Sequence, residues 1–273
     1  MRSLWAKHEL ETLVAFYHLR MTKQLVDLLP GRTPNSIFQK ARSLSLKANR
    51  KLTRKQYRVD DDYFSVPNLE NSYWAGFIAA DGNIGDFKDR VRIKLSSSDS
   101  HHLEAFKSCC GSTNPITDAF NGLKKYAALE ICGVPQWKEN LQRNFCVTPR
   151  KSLTLQPPRH LSLEHSLTFI AGYIDGDGCI FTEKPPTGHL RLGVQITGTH
   201  EVLCWIKNLF DEIAPSEYQA NVCCIGKVYS YKIVGKKAEA VLKALLHIPS
   251  PKLERKWAKA SSFLQRKRDE VAC

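Results

Sequence analysis

Apolar and polar residues alternate with period two in two places along the chain. Val91, Ile93 and Leu95 alternate with Arg90, Arg92, Lys94 and Ser96; Leu190, Leu192, Val194 and Ile196 alternate with His189, Arg191, Gln195 and Thr197. This period predicts strands with one face on a core and the other in water. HLEAFKSCCG and EVLCWIKNLF then follow as amphipathic helices. YAALEICG (126–133) and YSYKIVG (229–235) return to strand, and PQWKENLQ and KKAEAVLKAL close each run as helices. The order occurs twice, so the chain is an internal repeat from about residue 68. A proline-containing joint, LQPPRHLSL (155–163), separates the copies.

Each copy opens on an apolar helix, YWAGFIAADGNI (73–84) or FIAGYIDGDGCI (169–180). Gly172 and Gly176 lie four apart on one helical face, as do Gly76 and Ala80. Small residues at that spacing let two helix backbones approach closely. Both helices end at Asp-Gly, and Gly82 and Gly178 are expected to take the left-handed conformation common after a helix. The packing would bring Asp81 and Asp177 to the same end of the pair. Two carboxylates held close repel and raise each other's pKa unless a cation lies between them. Hard divalent cations with oxygen ligands answer that need. A metal between two acids, beside a basic sheet face, makes a phosphodiester-cleaving centre. A lone Asp-Gly would be read as a helix cap; its repetition in one context argues for chemistry.

The first 47 residues follow a different pattern. Trp5, Leu10, Leu13, Val14 and Tyr17 form a helical stripe, Thr22 is placed to cap TKQLVDLLP, and Gly31 makes a turn. Thr33 caps a third helix with Pro34 at its first position. Three helices with a tight turn before the last suit a helix-turn-helix. GRTPNSIFQKARSLSL resembles the last helix of small Myb/SANT-like DNA-binding modules, which puts Asn35, Gln39, Lys40 and Arg42 toward a groove. A small helical protein-docking module is the other reading. Residues 1–50 are therefore assigned to this module and 51–67 to a charged linker. Residues 68–154 and 164–260 make the two repeat halves, flanking the 155–163 joint, and 261–273 a basic tail.

Charge sharpens the partner. The net charge is +13; residues 1–60 hold 13 Lys and Arg against 4 Asp and Glu, and the remaining residues contribute only +4. Basic proteins of this kind favour polyanions, nucleic acid first. The polar side of the repeated strands is basic, with almost no acid, as a sheet facing DNA requires. Nine scattered cysteines without a CxxC pair argue against a zinc ribbon and for a reducing, cytoplasmic-type compartment. With no long apolar run and no signal core, a soluble protein without membrane contact is expected.

WAGFIAADG (74–82) and IAGYIDGDG (170–178) resemble the two signature helices of the LAGLIDADG homing endonucleases, and the similarity extends over residues 68–258. The resemblance implies an α+β fold: two pseudosymmetric αββαββα halves forming a DNA-binding saddle, here with a small all-α N-terminal domain. It implies that Asp81 and Asp177 bind the catalytic divalent metal, Mg2+ with Mn2+ as a substitute. The backbone contribution at position 80, here Ala80, is left open. The earlier acid of the signature is Asp175 in one copy and Ala79 in the other, a position that is not a metal ligand in the family. TPRKSLTL (148–155) and SPKLERKWAKA (250–260) resemble segments that close each half and supply a lysine, which points to Lys151 and Lys256. These lysines would stabilise transition-state charge or position water; phosphate positioning is the plainer alternative. Ser97 and Gln195 are further candidates for holding water.

The expected function is site-specific cleavage of double-stranded DNA by a monomer at a long asymmetric target. Strand contacts are assigned to Arg90, Arg92, Lys94, Ser96, Lys124, His189, Arg191, Gln195, Thr197, Ser230 and Lys232. Asymmetry follows from Lys94 matching Gln195 across the repeat, and Glu130 matching Lys232. A non-cleaving nucleic-acid binder on the same scaffold, an intron RNA maturase or a DNA-binding regulator, is the alternative.

Overall fold

The structure, a computed structural model, describes residues 4–19, 22–47, 57–86, 89–186, 188–217 and 219–272. Its contacts divide the chain into a unit of residues 1–58 and a unit of residues 59–273. The smaller unit holds three helices, α1 (Lys7–Phe16), α2 (Thr22–Leu28) and α3 (Pro34–Ser43). Leu13, Tyr17, Leu25, Leu29, Ile37 and Ala41 form its core. Val14, expected on the buried stripe, is 52% exposed, because two buried positions per helix suffice for so small a core. Arg32 ties the start of α1 to the turn before α3. Its guanidinium donates to Glu9 at 2.7 and 2.8 Å and lies 4.4 Å over the Trp5 ring. Thr33 Oγ1 accepts from the Ser36 amide at 3.2 Å, the expected cap.

The larger unit is α+β. Its first half comprises α4 (Leu69–Asp81), β1 (Gly82–Ile84), β2 (Arg90–Ser96), α5 (Ser100–Cys109), β3 (Ile116–Asn121), β4 (Lys124–Cys132) and α6 (Pro135–Phe145). The short helix α7 (Lys151–Thr154) leads to the second half. This comprises α8 (Leu163–Asp177), β5 (Gly178–Glu183), β6 (Arg191–Gly198), α9 (His200–Ile213), β7 (Val222–Ile225), β8 (Val228–Val234), α10 (Lys236–His247) and α11 (Glu254–Ala272). Two four-stranded antiparallel sheets have the equivalent orders β1-β2-β4-β3 and β5-β6-β8-β7. Inward residues such as Val91, Ile93, Leu192, Val194 and Ile196 join one core around the buried helices α4 and α8. Both helices are buried all round over their middle turns because helix or sheet covers each face. Among the described residues no helix is long and apolar enough to cross a membrane.

Several expectations are corrected. Gly82 and Gly178 are extended (φ −75° and −105°), not left-handed, because each helix passes directly into a strand. A Cβ at either would come within 2.7 Å of Ile78 or Ile174, so close approach is what calls for glycine. The segment assigned as a charged linker packs against the larger core from residue 59 on. Phe64 is fully buried, Tyr63 nearly so, and Trp137 Nε1 donates to the Asp60 carbonyl at 2.7 Å. Aromatic residues among the charges had the stronger pull. His189 precedes β6 and Leu190 is 45% exposed, so the second strand begins only at Arg191. Residues 261–272 continue α11 as helix.

Gly82 pairs with Ile93 and Gly178 with Ile196, so β6 is shifted by two residues from its expected match to β2. Arg92 pairs with Glu130 and Gln195 with Lys232, so Glu130 matches Lys232 as expected, while Gln195 matches Arg92 rather than Lys94, whose counterpart is Thr197. Gly133 and Gly235 both take positive φ at the turn into the next helix, and they bond to equivalent points of the neighbouring strand. Gly133 N donates to Asp89 O, and Gly235 N to Leu192 O.

Candidate active site

The site begins with the contact between α4 and α8. A Cβ at Gly76 would collide with the Phe169 carbonyl oxygen, and one at Gly172 with the Tyr73 carbonyl oxygen. At Gly176 it would collide with the Ala80 side chain and lie 3.2 Å from the Asp81 amide nitrogen. Glycine therefore sets the backbone approach, and the helices end side by side at Asp81 and Asp177. The structure brings together the two acids that the repeat singled out.

Both aspartates are exposed at their tips, yet protein crowds them on most sides. That crowding raises both pKa values. For Asp177 the charge of Asp81 raises it further, while Lys151 and Lys256 pull the other way. For Asp81 the nearby cations Lys256, Lys151 and Arg255 oppose the effect of burial. Solvent access at the tips limits the size of either shift. Each helix end also carries the partial negative charge of its last carbonyls.

Lys151 and Lys256 answer that charge. Lys151 is 7% exposed, and its Nζ donates to the Ala80 carbonyl at 2.6 Å. Lys256 Nζ faces four carbonyls, of Ile174, Asp175, Gly176 and Gly178, at 3.0, 2.7, 3.2 and 2.7 Å. Burial lowers both lysine pKa values against the pull of the acids. The lysines thus close the C-terminal ends of the signature helices and place a positive charge beside each carboxylate. Sequence reasoning gave these lysines to chemistry or to phosphate positioning and did not foresee their capping of the helix ends.

Asp175 has a different place. It is 1% exposed and accepts from Tyr73 Oη at 2.6 Å, Leu253 N at 2.8 Å and Trp257 Nε1 at 2.8 Å. Tyr73 belongs to the first half, so the bond crosses between halves, and its Oη also lies 2.8 Å from His102 Nε2. The equivalent pair on the other side is Phe169 and Ala79. A second bridge joins the halves where Arg255 Nε meets both Asp99 oxygens at 2.9 and 3.0 Å.

Arg90, Arg92, Lys94 and Ser96 point to the outer face of the first sheet, with Lys124 at the end of β4. Arg191, Gln195, Thr197, Ser230 and Lys232 share the outer face of the second sheet. Gln195 Nε2 donates to Ser230 Oγ at 2.9 Å, while Ser97 Oγ is shielded without a hydrogen-bond partner. Asn35, Gln39 and Arg42 are exposed on one face of α3, and Lys40 is half-buried. The outer faces are less free of acid than expected. Glu130 lies 3.7 Å from Arg90 and 3.8 Å from Arg92, and Glu183 bonds to both Arg191 and Lys232. Extending the strand parity through β5 would have found Glu183, together with Cys179 and Phe181 on the same face.

Among the described residues no cluster of three or more His, Cys, Asp or Glu could hold a metal. The donors at the helix ends are two carboxylates, and the Ala80 and Gly176 carbonyls are already engaged by lysines. This hard, oxygen-only and incomplete set fits Mg2+, which keeps several waters and takes substrate phosphate oxygens rather than an all-protein cage.

No protein-family model and no curated protein sequence matches the chain. Solved structures do match in fold. A LAGLIDADG homing endonuclease, I-GzeII, in complex with its DNA target is 9% identical; the match covers 76% of this chain and 92% of that one, with TM-score 0.51. The LAGLIDADG meganuclease I-CpaMI bound to uncleaved DNA is 11% identical, with coverage of 74% and 92% and TM-score 0.50. The two-half α+β architecture described above is the fold of those proteins.

Proposed function

We propose that this chain is a site-specific double-stranded DNA endonuclease. The observation that carries the reading is the convergence of Asp81 and Asp177 at abutting helix ends in a unit whose two sheets present basic outer faces. The fold of DNA-bound homing endonucleases supports it.

In this reading Arg90, Arg92, Lys94, Arg191 and Lys232 neutralise and grip the duplex, and sequence is read by their contacts to base edges. Binding places one phosphate of each strand at the helix ends. Asp81 and Asp177 would hold the divalent cation. When bound, Mg2+ supplies Lewis-acid stabilisation of charge at the scissile phosphate. Water oxygen bonds to phosphorus, the bond from phosphorus to a sugar oxygen breaks, and that oxygen takes the proton. Lys151 and Lys256 keep the helix ends in place and put positive charge where negative charge grows. Both acids come from one chain, so a monomer suffices, and the unlike outer faces call for an asymmetric target. The exposed face of α3, with Asn35, Gln39 and Arg42, adds contacts to duplex.

The test is to incubate the protein and Asp177→Asn with a randomised or genomic duplex library and Mg2+, then sequence the cut ends. A single long recognised sequence cut on both strands by wild type alone is expected. Specific binding without cleavage by wild type would make the chain a non-cleaving binder instead.

A further inference from the structure

Two outer-face cations of the second sheet converge on Glu183. This residue pairs with Arg191 across β5 and β6. One of its carboxylate oxygens accepts from Arg191 at 2.8 Å and the other from Lys232 Nζ at 2.9 Å. The Lys232 ammonium also lies 4.8 Å from the centre of the Phe181 ring. Phe181 can lie flat there because its cross-strand partner is Gly193, where a Cβ would come within 2.5 Å of the ring. Two long cationic side chains, which would otherwise sweep the surface, are thus held by an acid and an aromatic face. The Lys232 hydrogen bond, with Arg191 assisting, keeps the Glu183 carboxyl below the usual carboxylate range.

The first sheet carries a looser version. Lys94 lies 4.0 Å over the Tyr126 ring, and Glu130 sits near Arg90 and Arg92 at 3.7 and 3.8 Å. The tight clamp is confined to the second half.

An acid on a surface that meets a polyanion repels every phosphate equally, so it weakens non-specific binding first. A cation tied in place loses its freedom to follow the nearest phosphate but keeps spare donors. Arginine has five and lysine three, and only part of each set is used by Glu183. Fixed donors of this kind discriminate among bases in the major groove.

We infer that Glu183 is a specificity-determining positioning residue, holding Arg191 and Lys232 so that their free donors address base edges of the half-site under the second sheet. The inference rests on the endonuclease reading above. Its test compares wild type, Glu183→Gln and Glu212→Gln, the last removing the same charge from an exposed position on α9. Each is assayed for binding to unrelated duplex and for cleavage of targets substituted one base pair at a time. Thermal melting checks that each variant is folded. Glu183→Gln is expected to bind unrelated duplex about threefold or more tightly. It is also expected to lose about fivefold or more of base preference at adjacent positions of one half-site, with the other half-site unchanged. Glu212→Gln should change neither. A Glu183→Gln profile identical to wild type, or flattened equally in both half-sites, overturns the positioning role while leaving the endonuclease reading intact. A wild type that binds no duplex overturns both.

Discussion

The ammonium of Lys256 lies 2.7 Å from the carbonyl oxygen of Gly178, immediately after Asp177, while its charge also acts on Asp81 of the other half. One side chain therefore serves a helix end and a carboxylate pair at once. Lys151 does the same with a single carbonyl, that of Ala80.

Replacing these lysines should have unequal effects on stability. Lys256→Met removes an ammonium and its three donors from among four carbonyls and is expected to cost about 2–3 kcal/mol; Lys151→Met removes one from a single carbonyl and should cost about 1 kcal/mol. Urea melts measure both. Equal costs would mean that the extra carbonyls around Lys256 do not matter.

The aspartates carry a prediction with a definite sign. Both have raised pKa values in the folded chain, so the fold holds their protons longer than the unfolded chain does. The associated stability is present at low pH and declines as pH rises from the ordinary carboxylate range through the raised values. Without metal, Asp81→Asn should therefore melt at or slightly above wild type at pH 7, by no more than about 1 kcal/mol given the solvent access. Added Mg2+ should stabilise wild type and not the variant. Duplex binding should survive, and cleavage should fall by about a hundredfold or more. A variant stabilised by Mg2+ as fully as wild type would remove Asp81 from the metal site.

Gly172→Ala tests the helix approach. The added methyl meets backbone, the Tyr73 carbonyl oxygen, which has no rotamer to give. A loss of about 3 kcal/mol or more is expected, at the upper end for overpacking, with cleavage impaired even where the protein remains folded. Gly122→Ala, in an open turn with positive φ, should cost about 1 kcal/mol. Comparable melting of the two variants would contradict the tight helix contact.

Tyr73→Phe removes one donor from a buried carboxylate. The expected cost is about 2–3 kcal/mol, and it should be smaller in an Asp175→Asn background, where the His102 contact of Tyr73 is still lost. A double-mutant cycle in urea measures the coupling.

Deleting residues 1–58 removes a separate unit with its own core. The rest should fold, bind duplex more weakly, and show a shallower dependence of affinity on salt, because fewer phosphates are neutralised. An unchanged salt slope would take the N-terminal helices out of DNA binding.

Much of this architecture was legible because the repeat was. Alternation at 91–95 and 192–196 marks buried faces directly, and two Asp-Gly endings in matched helices locate the acids. What escaped reading depends on partners distant in sequence. Gly82 and Gly178 look like left-handed caps in isolation, but the strand that follows each helix holds them extended. The two-residue shift between β2 and β6 shows only when each is paired with the strand that follows its signature helix, β1 or β5. Glu183 was missed because its partners lie on two other strands. Phe64 hid among charges, and its burial needs Trp137 and Phe145 beside it.

The Tyr73–Asp175 bond has no mirror image, and this bears on the history of the chain. Two copies of the first half would set a tyrosine against Ala79 with no acid to receive it. Two copies of the second would each enclose an aspartate facing Phe169, one donor short. Self-pairing of either half would forgo this bond on both sides of the seam, so the present sequence favours the union of unlike halves.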